Sequence, residues 1–150
     1  MKALTTLFVI GMFLTTVAIG DDADDVKAAV QGYYAAINAG DTDAMIRHRM
    51  PEYSVFSGGG LLEKSTSLEE QKNDFQANVD AGQKLNLQIR HLEARVYGNA
   101  ALVTGYLMGT NTTADGTTVQ VRNQQSEVWV KQGGQWRRAH RHASPLSLAQ

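Results

Sequence analysis

The spacing of apolar residues changes from a helical period to a strict alternation near residue 84. Before that point, apolar residues between 22 and 39 recur every three or four positions, which predicts an amphipathic helix. Gly40 is a natural C-terminal stop for this helix. Asp41 can cap a second, shorter helix that continues to about Arg49.

A short strand and a third helix are predicted between the second helix and the alternating region. Residues 53–57 read Y-S-V-F-S and alternate as a strand, and the glycines at 58–60 end it. Ser67 and Glu70 have the spacing of a capping box, in which each residue satisfies a backbone amide of the other. They predict a helix that runs to about Ala81.

Strands dominate the chain after residue 84. The parity of the apolar residues switches near His91, which predicts a β-bulge there. Glycine-containing turns then separate the strands into hairpins. The predicted strands run from residue 85 to the turn at 98–99, and then over 100–113, 117–131 and 135–143.

This order of elements predicts an α+β fold. Four long antiparallel strands with one apolar face need a cover, and the preceding helices can provide it. Bulges curve such a sheet, so we expect a curved antiparallel sheet that forms a half-open cone packed by N-terminal helices. A cone of this kind encloses a cavity, which is the usual place for a small-molecule site.

The first twenty residues resemble a secretory signal. A positively charged amino end precedes a short apolar core over 7–19, and small residues stand at Ala18 and Gly20, the positions that a signal peptidase reads. The prediction is a signal peptide at 1–20, a single domain at 21–150, and an exported protein, either periplasmic or secreted. An uncleaved membrane anchor is the alternative, although the apolar core is short for a membrane span.

Composition excludes several classes of function. The chain has 150 residues, a net charge of −1 and no cysteine. A near-neutral charge argues against a nucleic-acid binder that relies on a broad basic surface. The lack of cysteine excludes a disulfide framework, thiol catalysis and thiolate metal sites.

Three segments carry a resemblance to a known superfamily. They are A-I-N-A-G-D (36–41), V-Y-G-N-A-A-L-V-T-G (96–105) and S-E-V-W-V-K-Q-G-G-Q-W-R-R-A-H-R-H-A-S-P (126–145). The chain resembles the nuclear transport factor 2-like superfamily over nearly all of 22–145. The resemblance is to its SnoaL-like branch, which is related to the association domain of calcium/calmodulin-dependent kinase. It implies a cystatin-like cone and a homodimer through the outer sheet face.

The resemblance implies no particular activity, because the superfamily includes isomerases, cyclases, dehydratases and scaffolds. The kinase association domain has arginines at two positions where this chain has Glu127 and Ala143. The arginine-lined pocket of that domain is therefore not carried over. No residue matches the catalytic aspartate of the ketosteroid isomerases or polyketide cyclases.

Two histidines near the end of the chain are the first candidates for chemistry. By strand parity, His140 and His142 share a face with Arg138. Two imidazoles fall short of a zinc site, and the other two histidines have no metal motif around them, so neither a metal nor a cofactor is predicted. His140 and His142 either cap the open end of the sheet or line the cavity as proton carriers, since imidazole titrates near neutrality.

A second set of candidates would bind the ligand. Arg122 and Gln124 share a strand face with Ser126, and parity favours the cavity for them. A solvated outer face is the alternative, because the intervening residues of the same strand are also polar. Tyr34 and Tyr106 are the aromatic residues best suited to donate a hydrogen bond to a ligand oxygen.

Two hypotheses of function follow. In the first, the domain binds a small, mostly apolar molecule in its cone, with acid–base chemistry of the isomerase, cyclase or dehydratase type as a further option. In the second, it is a non-catalytic dimeric interaction or scaffold domain. Both expect no nucleic-acid partner and no membrane contact after cleavage of the signal. Polarity on the cone side of residues 119–130 favours the first, and an apolar outer side favours the second.

Overall fold

The computed structural model describes residues 22–57 and 60–146. The predicted signal peptide at 1–20 lies outside these residues. No helix among the described residues is both long and apolar enough to cross a membrane.

The described residues form three helices and six strands. Two of the strands lie between the second and third helices, and the other four follow the third helix. The elements are α1 (Asp22–Ala39), α2 (Thr42–Arg47), β1 (Arg49–Phe56), β2 (Leu62–Ser65), α3 (Leu68–Asp80), β3 (Lys84–Tyr97), β4 (Ala100–Thr112), β5 (Thr118–Gln132) and β6 (Gln135–Pro145). The predicted α+β class is confirmed, with an open sheet and N-terminal helices.

The helices begin and end where their local signals place them. α1 covers the predicted range, and Gly40 follows it at a φ of 65°. The side chain of Asp41 accepts a hydrogen bond from the backbone amide of Ala44 and caps α2. The side chain of Ser67 likewise accepts from the amide of Glu70 at the start of α3.

The predicted end of α2, at about Arg49, and the predicted start of the following strand, at residue 53, are both wrong. α2 ends at Arg47, and Arg49 already belongs to β1, which also contains Pro51. Proline lacks a backbone amide donor, but here it lies where the register between β1 and β6 shifts, so no ladder bond is lost. The strand β2 was not predicted at all.

The sheet is mixed, with the strand order β2-β1-β6-β5-β4-β3. The last four strands form antiparallel hairpins as expected, but β1 pairs with β6 in parallel. The expected antiparallel pairing therefore holds for the four long strands, and the parallel pairing of β1 with β6 makes the sheet mixed. β2, α3 and three long strands lie between β1 and β6 in the chain, so local turn signals do not show the pairing.

The predicted bulge in β3 is confirmed. The register between β3 and β4 shifts between Arg90 and Glu93, and His91 has a φ of 51°. Across the ladder, Gly105 and Gly109 of β4 leave room for the β3 backbone to approach. Bulges and glycines of this kind bend a sheet, and they curve this one around the helices.

The core lies between α1 and the concave face of the sheet. Val26, Val30 and Tyr33 of α1 are buried against Val103 and Trp129 of the sheet. The side chain of Asn38, also on α1, joins this helix directly to β3. Asn38 donates to the carbonyl of Leu87 at 2.8 Å and accepts from the amide of Leu87 at 2.7 Å.

The close approach at Gly109 generates a stability prediction. A β-carbon added there would lie 1.9 Å from the carbonyl oxygen of Asn86, at a φ of 148°. We expect Gly109→Ala to lower the free energy of unfolding by about 3 kcal/mol, because the backbone must move in addition to adopting a strained φ. Urea unfolding followed by circular dichroism measures this loss.

Gly116→Ala is the matched control. Gly116 has a φ of 86°, and a β-carbon there would meet no atom within 4 Å. Its substitution should cost only the backbone strain, about 1–2 kcal/mol. Equal losses for the two variants would show that the β3–β4 approach does not constrain the fold.

Candidate functional site

A bulge in β6 decides which side chains of the last strand face the cone. Val128 of β5 pairs with His140, and the next residue, Trp129, pairs with Arg138, so Ala139 has no partner. This extra residue reverses the parity of the strand. Arg138 therefore shares the cone side with Arg141 and not with the histidines.

His140 and His142 lie on the outer face of the sheet, so the prediction that they share a face with Arg138 is wrong. Nδ1 of His140 is 2.8 Å from the hydroxyl oxygen of Ser54 on β1. Both imidazoles contact the ring of Phe56. In the part of the chain that the structure describes, no three His, Asp or Glu residues are arranged to hold a metal ion.

The parity inference for Arg122 and Gln124 is also wrong. Both are exposed on the outer face, where Gln124 donates to the hydroxyl of Ser144 at 3.2 Å. Tyr106 is the strand partner of Gln124 and is 39% exposed. Arg122 and Gln124 face outward because Trp129 is buried beneath α1, and its burial turns the odd-numbered residues of β5 inward.

Three of the predicted site residues nevertheless meet on the outer face. Tyr106, Gln124 and His142 line a depression of about 690 Å³ there, together with His91 and Glu93. Arg122 lies outside it. Tyr34 is the one predicted site residue that lines the cone.

The cone itself contains a cavity of about 550 Å³. One side is apolar, and its surface comes from α3 and from the long strands of the sheet. The apolar lining includes Phe75, Leu85, Leu87, Leu107 and Val121. The opposite side is polar and includes Tyr33, Tyr34, Arg49, Tyr53, Arg138 and Arg141.

A buried carboxylate lies behind the polar side and binds two of its lining residues, Tyr34 and Arg138. Glu127 has no solvent exposure. Its Oε1 accepts from the hydroxyl of Tyr34 at 2.8 Å, from Nε2 of Gln125 at 3.1 Å and from Nη1 of Arg138 at 3.1 Å. Its Oε2 accepts from the indole of Trp129 at 2.7 Å. Such a set of donors offsets the cost of removing the carboxylate from water.

Arg138 compensates this charge and joins the sheet to α1. It is 2% exposed, and its Nη2 donates to the hydroxyl of Tyr33. Its guanidinium carbon lies 3.9 Å from the centre of the Tyr33 ring, which adds a cation–π contact. The Nε of Arg138 is buried and has no hydrogen-bond partner among the described residues.

Arg49 is a second arginine that contacts Tyr33. Its Nη2 donates to the Tyr33 hydroxyl at 2.7 Å, and its Nη1 lies 3.5 Å from the side-chain oxygen of Gln71. Gln71 is itself held by the carbonyls of Met50 and Pro51, at 3.1 Å and 3.0 Å. These bonds fasten α3 to β1 and fix the position of Arg49.

The two neighbouring tyrosines differ in their electrostatics. Burial alone would raise the pKa of the Tyr33 hydroxyl, but the positive charges of Arg138 and Arg49 together outweigh burial and lower it. Burial, assisted by the negative charge of Glu127, raises the pKa of Tyr34 well above its usual value. Tyr34 therefore keeps its proton, which it donates to Glu127.

Sequence reasoning missed the basic part of the cone. Arg49, Arg138 and Arg141 were not among the predicted site residues, yet all three line the cavity. The available signal was Glu127, a carboxylate two residues before a buried tryptophan on a strand. An inward carboxylate requires a buried cation, and Arg138 was near enough in the next hairpin strand to supply it.

Comparison with known proteins places the chain in a family. Residues 26–147 match the SnoaL-like domain, so the chain belongs to the SnoaL-like domain family. No curated protein is similar enough in sequence to match the chain.

Solved structures share its fold. A protein of the NTF2-like family from Streptomyces avermitilis, provisionally assigned as a dehydratase, is 18% identical with a TM-score of 0.70, over 85% of this chain and 97% of that one. A ketosteroid isomerase-like protein from Erwinia carotovora atroseptica is 19% identical, with a TM-score of 0.68, over 87% and 100%. The association domain of C. elegans CaMKII is 22% identical, with a TM-score of 0.63, over 81% and 93%.

The buried ion pair generates a prediction about stability. Glu127→Gln keeps the shape of the side chain but leaves Arg138 as an uncompensated buried charge. We expect the free energy of unfolding to fall by about 3–5 kcal/mol, as when one partner of a buried pair is removed. Urea unfolding measures the change, and exposed Glu93→Gln should alter it by less than about 0.5 kcal/mol. A loss below about 1 kcal/mol for Glu127→Gln would contradict the central role of the pair.

Proposed function

We propose that this protein is an exported SnoaL-like domain that binds a small, mostly apolar molecule in its cone. Support for export comes from the signal-like pattern of residues 1–20. Support for binding comes from the cavity of about 550 Å³, a size that suits a small-molecule ligand.

The observation that carries the proposal is the division of the cavity into two sides. Phe75, Leu85 and Val121 offer an apolar surface, and on the other side Tyr33, Arg49 and Tyr53 offer donors that are held in place. Binding sites for small molecules combine an apolar lining with a few fixed polar groups in this way. A purely structural core would have filled the same space with hydrocarbon.

Acid–base chemistry is part of the proposal only through groups that reach the cone. His140 and His142 face away from it, so neither can exchange a proton with a ligand bound there. Tyr33 lines the cavity, and its lowered pKa suits proton exchange better than that of an ordinary tyrosine. Relatives in the fold include proteins described as dehydratase and ketosteroid isomerase-like.

A cavity-filling variant tests the binding site. Val121→Phe adds an aromatic ring to the apolar side, so we expect any ligand of the cone to bind at least about tenfold more weakly. Thermal-shift screening of the purified protein with small acids, steroids and aromatic compounds supplies responders, because a ligand that binds only the folded state raises Tm. Titration calorimetry then measures their affinities.

Val128→Phe is the control, since Val128 lies on the same strand but faces outward. It should leave the affinity of every responder unchanged. A screen without any responder, or responders that are insensitive to Val121→Phe, would contradict a binding site in the cone.

A second candidate function, the dimeric interaction domain, is favoured by the outer sheet face. Leu102 and Val128 are strand partners there and are 38% and 36% exposed. Tyr106 extends the apolar surface on β4. Exposed apolar residues that adjoin one another mark interaction surfaces, and some fold relatives are described as association domains.

The mass of the protein in solution tests this candidate. Val128→Lys puts a charge on the proposed interface, so we expect a dimer to become a monomer in light scattering at micromolar concentration. Val119→Lys is the matched control, because Val119 is 47% exposed on the cone side of the same strand. A wild-type monomer, or a dimer that survives Val128→Lys, would rule out this interface.

A further inference from the structure

The charges on the cone side of the sheet do not balance. Arg138 is paired with Glu127, with 3.1 Å between Nη1 and Oε1. Arg49 and Arg141 also line the cavity, but neither has a carboxylate within 4.0 Å in the described part of the chain. An ionised Tyr33 would offset one of these two charges and leave the other. A half-buried cation without a counter-charge is costly, and a bound anion removes that cost.

Arg141 has free donors within the described chain. Its Nε donates to the side-chain oxygen of Gln125 at 3.3 Å, which fixes the direction of the side chain. Its two terminal nitrogens make no hydrogen bond to any described residue. A guanidinium group offers these donors in the planar arrangement that matches a carboxylate.

Tyr53 provides an unused hydroxyl beside the arginines. The residue is 8% exposed, lines the cavity, and makes no hydrogen bond through its hydroxyl to any described residue. The guanidinium carbon of Arg49 lies 4.6 Å from the centre of its ring, and that of Arg138 lies 5.3 Å away. Burial raises the pKa of Tyr53 in spite of these positive neighbours, so the hydroxyl keeps a proton to donate.

The opening of the cavity has the opposite charge. Glu63, Glu70 and Asp74 are exposed residues of the lining, and Lys64 is the basic residue beside them. An anionic group would therefore be attracted to the buried arginines and repelled at the opening. A ligand with one acidic end would satisfy both regions, whereas a ligand with an acid at each end would not.

We propose that the cone selects small monocarboxylates, with the carboxylate bound by Arg49, Arg141 and Tyr53 and the apolar body against Leu85 and Val121. This inference rests on the proposed binding function and names its ligand class. The uncompensated pair of arginines and the unused tyrosine hydroxyl carry it.

Matched probes test the charge requirement in the wild-type protein. 4-Phenylbutanoate and 4-phenylbutanamide have nearly the same shape and differ in charge, and 4-(4-carboxyphenyl)butanoate adds a second acid at the far end. By titration calorimetry at pH 7, we expect the monoacid to bind at least about tenfold more tightly than the amide. The diacid should bind several-fold more weakly than the monoacid, because its second carboxylate meets the acidic opening.

Variants then assign the preference to particular groups. Arg141→Gln should remove most of the difference between acid and amide, and Tyr53→Phe should reduce it about threefold, because each variant weakens binding of the charged carboxylate more than binding of the neutral amide. Arg95→Gln removes an equal charge from an exposed position of β3 and should change neither affinity. Circular dichroism confirms that each variant is folded, and the wild-type comparison of acid with amide decides the question if one is not.

The outcomes separate this inference from the proposed function. Equal binding of acid and amide, or a preference for the acid that survives Arg141→Gln, would overturn the monocarboxylate inference and leave a ligand site in the cone. Binding of neither compound at millimolar concentration would also overturn the monocarboxylate inference, whereas the thermal-shift screen and Val121→Phe decide the proposed function. A diacid that binds as tightly as the monoacid would overturn the role of the acidic opening.

Discussion

The ion pair between Glu127 and Arg138 is the constraint around which the fold is arranged. Both side chains are essentially without solvent contact, so every oxygen and most of the nitrogens need a protein partner. α1 supplies two of them, through the hydroxyls of Tyr33 and Tyr34. The same contacts that neutralise the pair therefore fix the position of α1 on the sheet. Few alternative packings of this helix could satisfy both charges, so the ion pair holds α1 in one position on the sheet.

Most of the architecture could be predicted from the sequence, because it depends on local signals. The period of α1, the cap at Ser67 and the parity switch at His91 each involve residues that are near one another in the chain. β2 and the parallel pairing of β1 with β6 could not be predicted in the same way. Their stability comes from strands that the chain brings together from a distance, and Pro51 reads locally as a breaker although its position in the register tolerates it.

The candidate site was harder to predict than the fold for a physical reason. A bulge is visible in a sequence when apolar residues change face, as they do in β3. In β6 the residues that turn inward after Ala139 begin with Arg141, whose burial depends on Gln125 and on the open cavity. Hydropathy carries no information about such a position, because an arginine that lines a polar cavity and an arginine that faces water give the same pattern in the sequence. The prediction therefore placed histidines in the cone, where the structure has arginines.

The unpaired alanine in β6 also determines which side chains the cone presents. If Ala139 paired with Val128 in place of His140, simple alternation would continue through the strand, and the imidazoles would turn toward the interior while Arg141 turned toward solvent. A shift of one residue in register, with no change of sequence, would replace a basic lining with one of imidazoles. The bulge therefore selects between two different chemistries for the same sequence, while the Glu127–Arg138 pair that holds the scaffold together stays in place.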